Sequence, residues 1–257
     1  MNYKKITSLV MGVLFLFTAF PADAKFQPKN RKPASGYSRG GGSRGCSSKN
    51  IPLTLLAPQT FIGKTASKRP MLAWYMSSSQ SVRFRLFEFE SATKAKQVGK
   101  SKEISTTVGI NKFKLPTEYP ELIVGKTYLW QIAIDCRNET ILKRAEFTVV
   151  NPPLVKKEFT TIPERVDYYA GNELWYEALE EALKAVSDGK LGRIGSNLVQ
   201  DLAKSETPTG TEENVRVNEK RIEYLRKISD IHVVQSRFNS GSRKPASGMS
   251  RPAGDNR

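Results

Sequence analysis

These 257 residues predict a mainly β protein with an α appendage: an antiparallel β-sandwich, then a small helical region, framed by basic tails. Three observations carry that expectation. About seven short runs rich in β-branched and aromatic residues lie between Ile51 and Val150, parted by Gly, Pro, Ser and Lys clusters. After Asn151, Pro152 and Pro153 the apolar period lengthens from that of a strand to that of a helix. Most of the net charge of +16 falls outside both stretches.

Residues 1–24 read as a secretory signal peptide. Lys4 and Lys5 precede an apolar run from Ile6 to Phe20, then Pro21 and Ala22-Asp23-Ala24 supply a cleavage site before Lys25. The run is shorter than the roughly 20 residues a spanning helix needs. No cysteine stands at the cleavage site to take a lipid. The expectation is an exported protein, periplasmic or at the cell surface, with no transmembrane anchor after cleavage.

Residues 25–45 and 236–257 are predicted to be disordered basic tails, because they lack the apolar content that offsets ordering entropy. Residues 25–49 hold seven Lys or Arg and no acid, whereas 50–235 hold 27 basic and 23 acidic residues. The tails share a peptide: RKPASGYSR at 31–39 and RKPASGMSR at 243–251 agree at eight of nine positions. It reads either as a duplicated linker or as a bivalent tether whose two ends engage one anionic surface.

The sandwich is expected over 46–150. Its strand candidates are IPLTLLA, MLAWYMS, VRFRLFEFE, EISTTV, NKFKL, TYLWQIAIDC and AEFTVV. TYLWQIAIDC is the clearest, placing Tyr128, Trp130, Ile132, Ile134 and Cys136 on one face and Leu129, Gln131, Ala133 and Asp135 on the other. In the preceding ELIVGKTY, Gly125 makes a turn between Leu122 and Tyr128, the setting in which a tyrosine ties a sandwich corner to upstream backbone. An immunoglobulin-like arrangement fits these features. The two cysteines, Cys46 and Cys136, form an even count in an exported chain and predict a disulfide. Two unconnected buried thiols are the other reading.

Residues 151–235 are expected to be helical and packed on or following the sandwich. Thr161 and Glu164 have capping-box spacing, with Pro163 in the first turn. NELWYEALEEALKAVSDGK carries an apolar stripe from Leu174 to Val186 and a stop at Gly189. LGRIGSNLVQDLAK repeats the stripe with Leu191, Ile194, Leu198 and Leu202, and a further helix is predicted from Glu212 to Ile228.

The run of GSRGC, LTLLAP, GKT, PMLAWY, FRLFE, VGINKFKLP, GKTYLWQIAIDC and YYAGNELWYEAL, in that order between Gly42 and Leu183, resembles a cyanobacterial secreted family known as domain of unknown function 928. The resemblance implies a cyanobacterial source and supports pairing of Cys46 with Cys136. It implies no activity. The chain departs from the family pattern at Met76, where proline is usual, and at EFTVVNPPL, where a Gly-Trp-Ile segment is expected.

Catalytic signatures are weak. Two GKT triplets, at 63–65 and 125–127, have Pro58 and Pro120 where a phosphate-binding loop needs glycine, and both lie among strands, so they read as turns. Ser91-Ala-Thr-Lys94 matches Ser-x-x-Lys without companion motifs. The single histidine, His232, supports neither a triad nor a multi-histidine metal set, and no cofactor motif is present. Glu88 and Glu90 share a strand face opposite Phe87 and Phe89 and leave one enzymatic alternative, a carboxylate-dependent hydrolase of cell-wall or exopolysaccharide material.

Lys94, Lys96, Lys100 and Lys102, placed around a predicted turn, are the residues expected to contact a polyanion such as anionic polysaccharide or lipid head groups. The same lysines also suit a solvated hairpin edge. Export argues against nucleic acid as the natural ligand. The functional expectation is therefore a noncatalytic exported binding or adaptor module, contacting a protein partner or an anionic envelope surface.

Overall fold

The computed structural model describes residues 25–38, 51–136, 139–154 and 158–240, with backbone only at 38, 136, 139 and 232–240. In chain order the strands are β1 (Thr54–Leu55), β2 (Gly63–Thr65), β3 (Met71–Met76), β4 (Ser81–Ser91), β5 (Lys94–Ser105), β6 (Gly109–Lys114), β7 (Thr127–Cys136) and β8 (Glu139–Val149). The helices are α1 (Ile162–Gly171), α2 (Trp175–Leu183), α3 (Gly192–Ser205) and α4 (Glu212–Ser240). Two sheets form, one ordered β1-β3-β6 and one ordered β2-β8-β7-β4-β5. All pairings are antiparallel except that of β2 on β8.

The expected sandwich with attached helices is what these elements build. Tyr128, Trp130, Ile132 and Ile134 of β7 are buried in one core with Trp74 of β3 and Phe84 of β4. Phe84 meets Phe113 of β6 at 4.8 Å between ring centroids, a contact that joins one sheet to the other. Burying each such side chain contributes roughly 1.5–3 kcal/mol. The corner closes as its spacing predicts: the Tyr128 hydroxyl accepts the Ile123 backbone N–H at 3.0 Å and donates to Glu88 at 3.1 Å. Gly125 turns the chain there with φ of 85°.

The helices share that core. Trp175 of α2 is fully buried and donates its indole N–H to the Leu56 carbonyl at 2.9 Å. Tyr176 beside it accepts the Trp130 indole N–H at 3.3 Å. Helix α1 starts on the expected capping box, with Thr161 accepting the Glu164 N–H and the Glu164 carboxylate accepting the Thr161 N–H.

Several expectations require correction. Residues 94–102, whose lysines are expected around a turn, belong to strand β5, and the turn lies just before them at 92–93; pairing with β4 puts these lysines on a sheet edge, as the hairpin-edge reading has it. The first GKT triplet is strand β2 and not a turn. Helix α2 ends at Leu183, short of Gly189, which instead takes φ of 78° and accepts the Ile110 N–H of β6 at 3.0 Å. Helix α4 continues to Ser240, past both the expected end at Ile228 and the start of the C-terminal tail at 236.

The largest correction concerns the N-terminal tail. Residues 25–38 are not a disordered tail but a strap laid on the body, anchored by Phe26, which is 1% exposed. Leu129, Gln131 and Ala133 are buried too, although alternation assigns them to the face away from the core, and there the Gln131 side chain accepts the Arg144 guanidinium N–H at 2.9 Å. Residues 39–45 of that tail, Cys46 of the expected disulfide and the second nonapeptide copy lie outside the described residues. Among the described residues no helix is long and apolar enough to cross a membrane.

Candidate peptide-binding groove

The strap lies in a groove formed by α2, the end of α3, the loop between β1 and β2, and β8. Phe26 packs edge-on against Trp175 at 4.9 Å. Its N–H donates to Asp201 of α3 at 3.2 Å, and its carbonyl accepts the Ser205 hydroxyl at 3.2 Å. The Lys29 N–H donates to Glu173 at 2.8 Å. Burial works against ionisation of Glu173, but the Lys64 ammonium at 2.6 Å and the Lys29 N–H hold its carboxyl below the usual range.

The repeated peptide then enters. The Arg31 guanidinium donates to the Ser205 carbonyl and to the Thr207 hydroxyl, and lies 6.0 Å from the centre of the Phe61 ring. Pro33 pairs antiparallel with Phe61, flanked by the Ile62 N–H to the Lys32 carbonyl at 2.8 Å and the Ala34 N–H to the Thr60 carbonyl at 3.3 Å. Pro33 suits this place because both flanking bonds use its neighbours' backbone groups and none calls on its missing N–H. Ser35 donates its N–H and its hydroxyl to Glu146 of β8, which is 1% exposed. Tyr37 closes the far end, donating its hydroxyl to the Thr93 carbonyl at 2.5 Å and packing edge-on against Phe89 at 5.7 Å.

The groove's wall is held in place from behind. Glu206 accepts the N–H groups of Gln59 and Thr60 at 2.9 and 2.8 Å. It is paired with Arg221 of α4 at 2.6 Å, and Arg221 also donates to the Ala57 carbonyl. Glu206 and Arg221 are both buried. This pair fixes residues 57–60, so that Thr60 and Ile62 present backbone groups to the strap. Extended-strand pairing with pockets for selected side chains is a general mode of peptide recognition. Asp201, Glu173 and Glu146 accept backbone N–H groups of a segment that also carries Lys25, Lys29, Arg31 and Lys32.

The residues singled out by sequence do not converge. Lys94 pairs with Glu90 at 2.7 Å, Lys102 pairs with Glu118, Lys96 stands opposite Glu88 in the ladder, and the Lys100 carbonyl accepts the Tyr119 hydroxyl at 2.6 Å. Glu88 is bound by Tyr128 and by Lys126 at 3.3 Å, so the two carboxylates of the suggested pair have different partners. The Lys94 hydrogen bond and charge hold the Glu90 carboxyl below its usual range. Ser91 and Lys94 flank the β4–β5 turn, where the Ser91 hydroxyl accepts the Thr93 N–H. In the first GKT triplet Lys64 and Thr65 bind Glu173 and Glu177, tying β2 to the helices. The side chain of His232 lies outside the described residues. Among the described residues no group of three His, Cys, Asp or Glu is placed to hold a metal ion.

Glu146, Glu206 and Arg221 escaped the sequence reading. Glu146 interrupts the apolar AEFTVV run and on that pattern reads as a solvated position. The one available signal was the repeat itself, whose first copy supplies Arg31 through Tyr37.

Comparison with known proteins finds a family model, described as Domain of Unknown Function (DUF928), that matches residues 39–205. Among solved structures, the chain is similar to the third fibronectin III domain of the human KIAA0343 protein, with 10% identity, 46% of this chain and 100% of that chain covered, and a TM-score of 0.24. A search of curated proteins finds no match.

Proposed function

This chain belongs to the family described as Domain of Unknown Function (DUF928), and from that premise we propose that it is an exported, noncatalytic binding or adaptor module that holds an extended basic peptide segment. The observation that carries the reading is the seating of residues 31–35 by backbone pairing with Thr60 and Ile62, closed by Ser35 on Glu146. Most of the groove's residues, from Thr60 to Ser205, lie within the family match, while Glu206, Thr207, Arg221 and the strap at residues 25–38 lie outside it. Export follows from the Lys4-to-Ala24 pattern.

The test uses the chain without its signal peptide, carrying Phe26→Ala and Ser35→Ala to loosen its own strap. A labelled peptide of residues 25–38 is titrated and followed by fluorescence anisotropy. Saturable binding, lost on adding Glu146→Ala, is the expected result. A peptide that binds no better than a scrambled one removes the reading.

A further inference from the structure

The contacts that seat the strap use a pattern that occurs twice in the chain. Phe26, four residues, then Arg31-Lys-Pro-Ala-Ser-Gly36 is matched by Phe238, four residues, then Arg243-Lys-Pro-Ala-Ser-Gly248. The agreement therefore extends beyond the nonapeptide to the residue that the fold buries most deeply in the first copy. Each group used in the groove from Phe26 to Ser35 has its counterpart: the aromatic ring, a backbone N–H at Gly241 in the place of Lys29, the guanidinium, the proline between two pairing residues, and the serine N–H and hydroxyl. The first departure in the nonapeptide is Met249 in place of Tyr37, which removes the hydroxyl that binds Thr93 and the ring that packs on Phe89.

We propose that the groove is a receptor for both copies, and that residues 238–248 of a second copy of this chain occupy it when residues 25–37 leave. The inference rests on the peptide-holding reading above. It names a neighbouring molecule as the donor because of helix α4. Arg221 touches the groove wall at Ala57 and Glu206, and Phe238 follows it by seventeen helical residues, a rise of about 25 Å. The helix backbone thus sets position 238 far along α4 from the groove wall that Arg221 touches. Seating Phe238 takes the last turn of α4 out of its helix, a modest cost at a helix end.

Each chain then has a donor at one end and an acceptor elsewhere, which is a heterologous contact that builds open chains unless its rotation closes a ring. The tethered first copy has a high effective concentration and fills the groove in an isolated molecule. Loss or displacement of the strap by mass action opens it to the second.

The experiment compares two labelled peptides, residues 25–38 and residues 238–251, on the Phe26→Ala/Ser35→Ala chain. Both are expected to bind, the second more weakly for want of Tyr37, and Glu146→Ala weakens each at least tenfold. Binding of the first with none of the second overturns this inference and leaves the peptide-holding reading intact. Failure of both overturns the two together. A companion measurement uses the chain with no substitution: excess 238–251 peptide is expected to speed hydrogen exchange of the Ala34 and Ser35 amides. Unchanged exchange at saturating peptide overturns the proposal even if the substituted chain does not fold.

Discussion

Ser35 donates both its backbone N–H, at 3.1 Å from each carboxylate oxygen, and its hydroxyl to Glu146, tying residues 111 positions apart. Hydrogen bonds to a buried charge contribute about 1.5–3 kcal/mol each. Glu146→Ala is expected to raise hydrogen exchange across residues 34–36 at least tenfold by mass spectrometry, with less effect across β7. Glu146→Gln, which still offers an acceptor oxygen, is expected to lie between. Equal protection in all three proteins would show that the carboxylate does not hold the strap.

The Glu206–Arg221 pair acts through the wall. Removing one partner leaves a buried charge without compensation, a loss of about 3–5 kcal/mol. Arg221→Ala is expected to lower the urea midpoint accordingly and to weaken strap protection along with it. Glu206→Gln combined with Arg221→Met leaves no buried charge and is expected to regain part of the loss.

Gly109 and Gly125 both have positive φ, at 100° and 85°, but differ in surroundings. A Cβ on Gly109 would collide with the Gly189 carbonyl, the acceptor of the Ile110 N–H, whereas one on Gly125 meets nothing within 4 Å. Gly125→Ala is expected to cost the conformational penalty alone, about 1–2 kcal/mol. Gly109→Ala is expected to cost more and to loosen β6 from the segment after α2, a ranking that thermal unfolding checks directly.

Glu177 is pushed up by burial, despite accepting from Thr65, Ala66 and Ser67 at 2.6 to 2.8 Å. A carboxyl raised in the fold binds more protons folded than unfolded. Its contribution is therefore full below the ordinary glutamate range and declines as pH rises through the folded value. Glu177→Gln abolishes that titration while keeping one acceptor. The stability of the original chain relative to the variant is expected to fall as pH rises above the ordinary glutamate range. A difference that is flat or rises with pH would contradict the assignment.

Cys136 ends β7, opposite Glu139, and its expected partner is Cys46. Intact exported protein is expected to weigh two hydrogens less than the reduced chain, and to release one crosslinked peptide pair on nonreducing digestion. Two alkylatable thiols in that material would eliminate the bridge.

The elements legible in the sequence are those whose signal is local. The alternation of β7, the corner from Leu122 to Tyr128 and the box at Thr161 and Glu164 each depend on residues a few positions apart, so period and spacing suffice to place them. Residues 94–102 read as surroundings of a turn or as a hairpin edge, because lysine disfavours strands in isolation, and pairing with β4 decides for the edge strand by supplying the ladder. The strap is the extreme case. Residues 25–38 contain one phenylalanine among polar and basic residues, and read by themselves they cannot offset the entropy of ordering. Trp175, Asp201, Ser205 and Glu146 supply what the segment lacks, from positions more than a hundred residues away. The sequence by itself determined most of the strands and helices and the existence of a repeated basic peptide, because short-range patterns encode them. Only the tertiary structure decided that the first copy is packed on the body, because burial of Phe26 and pairing of Ser35 arise when distant segments meet.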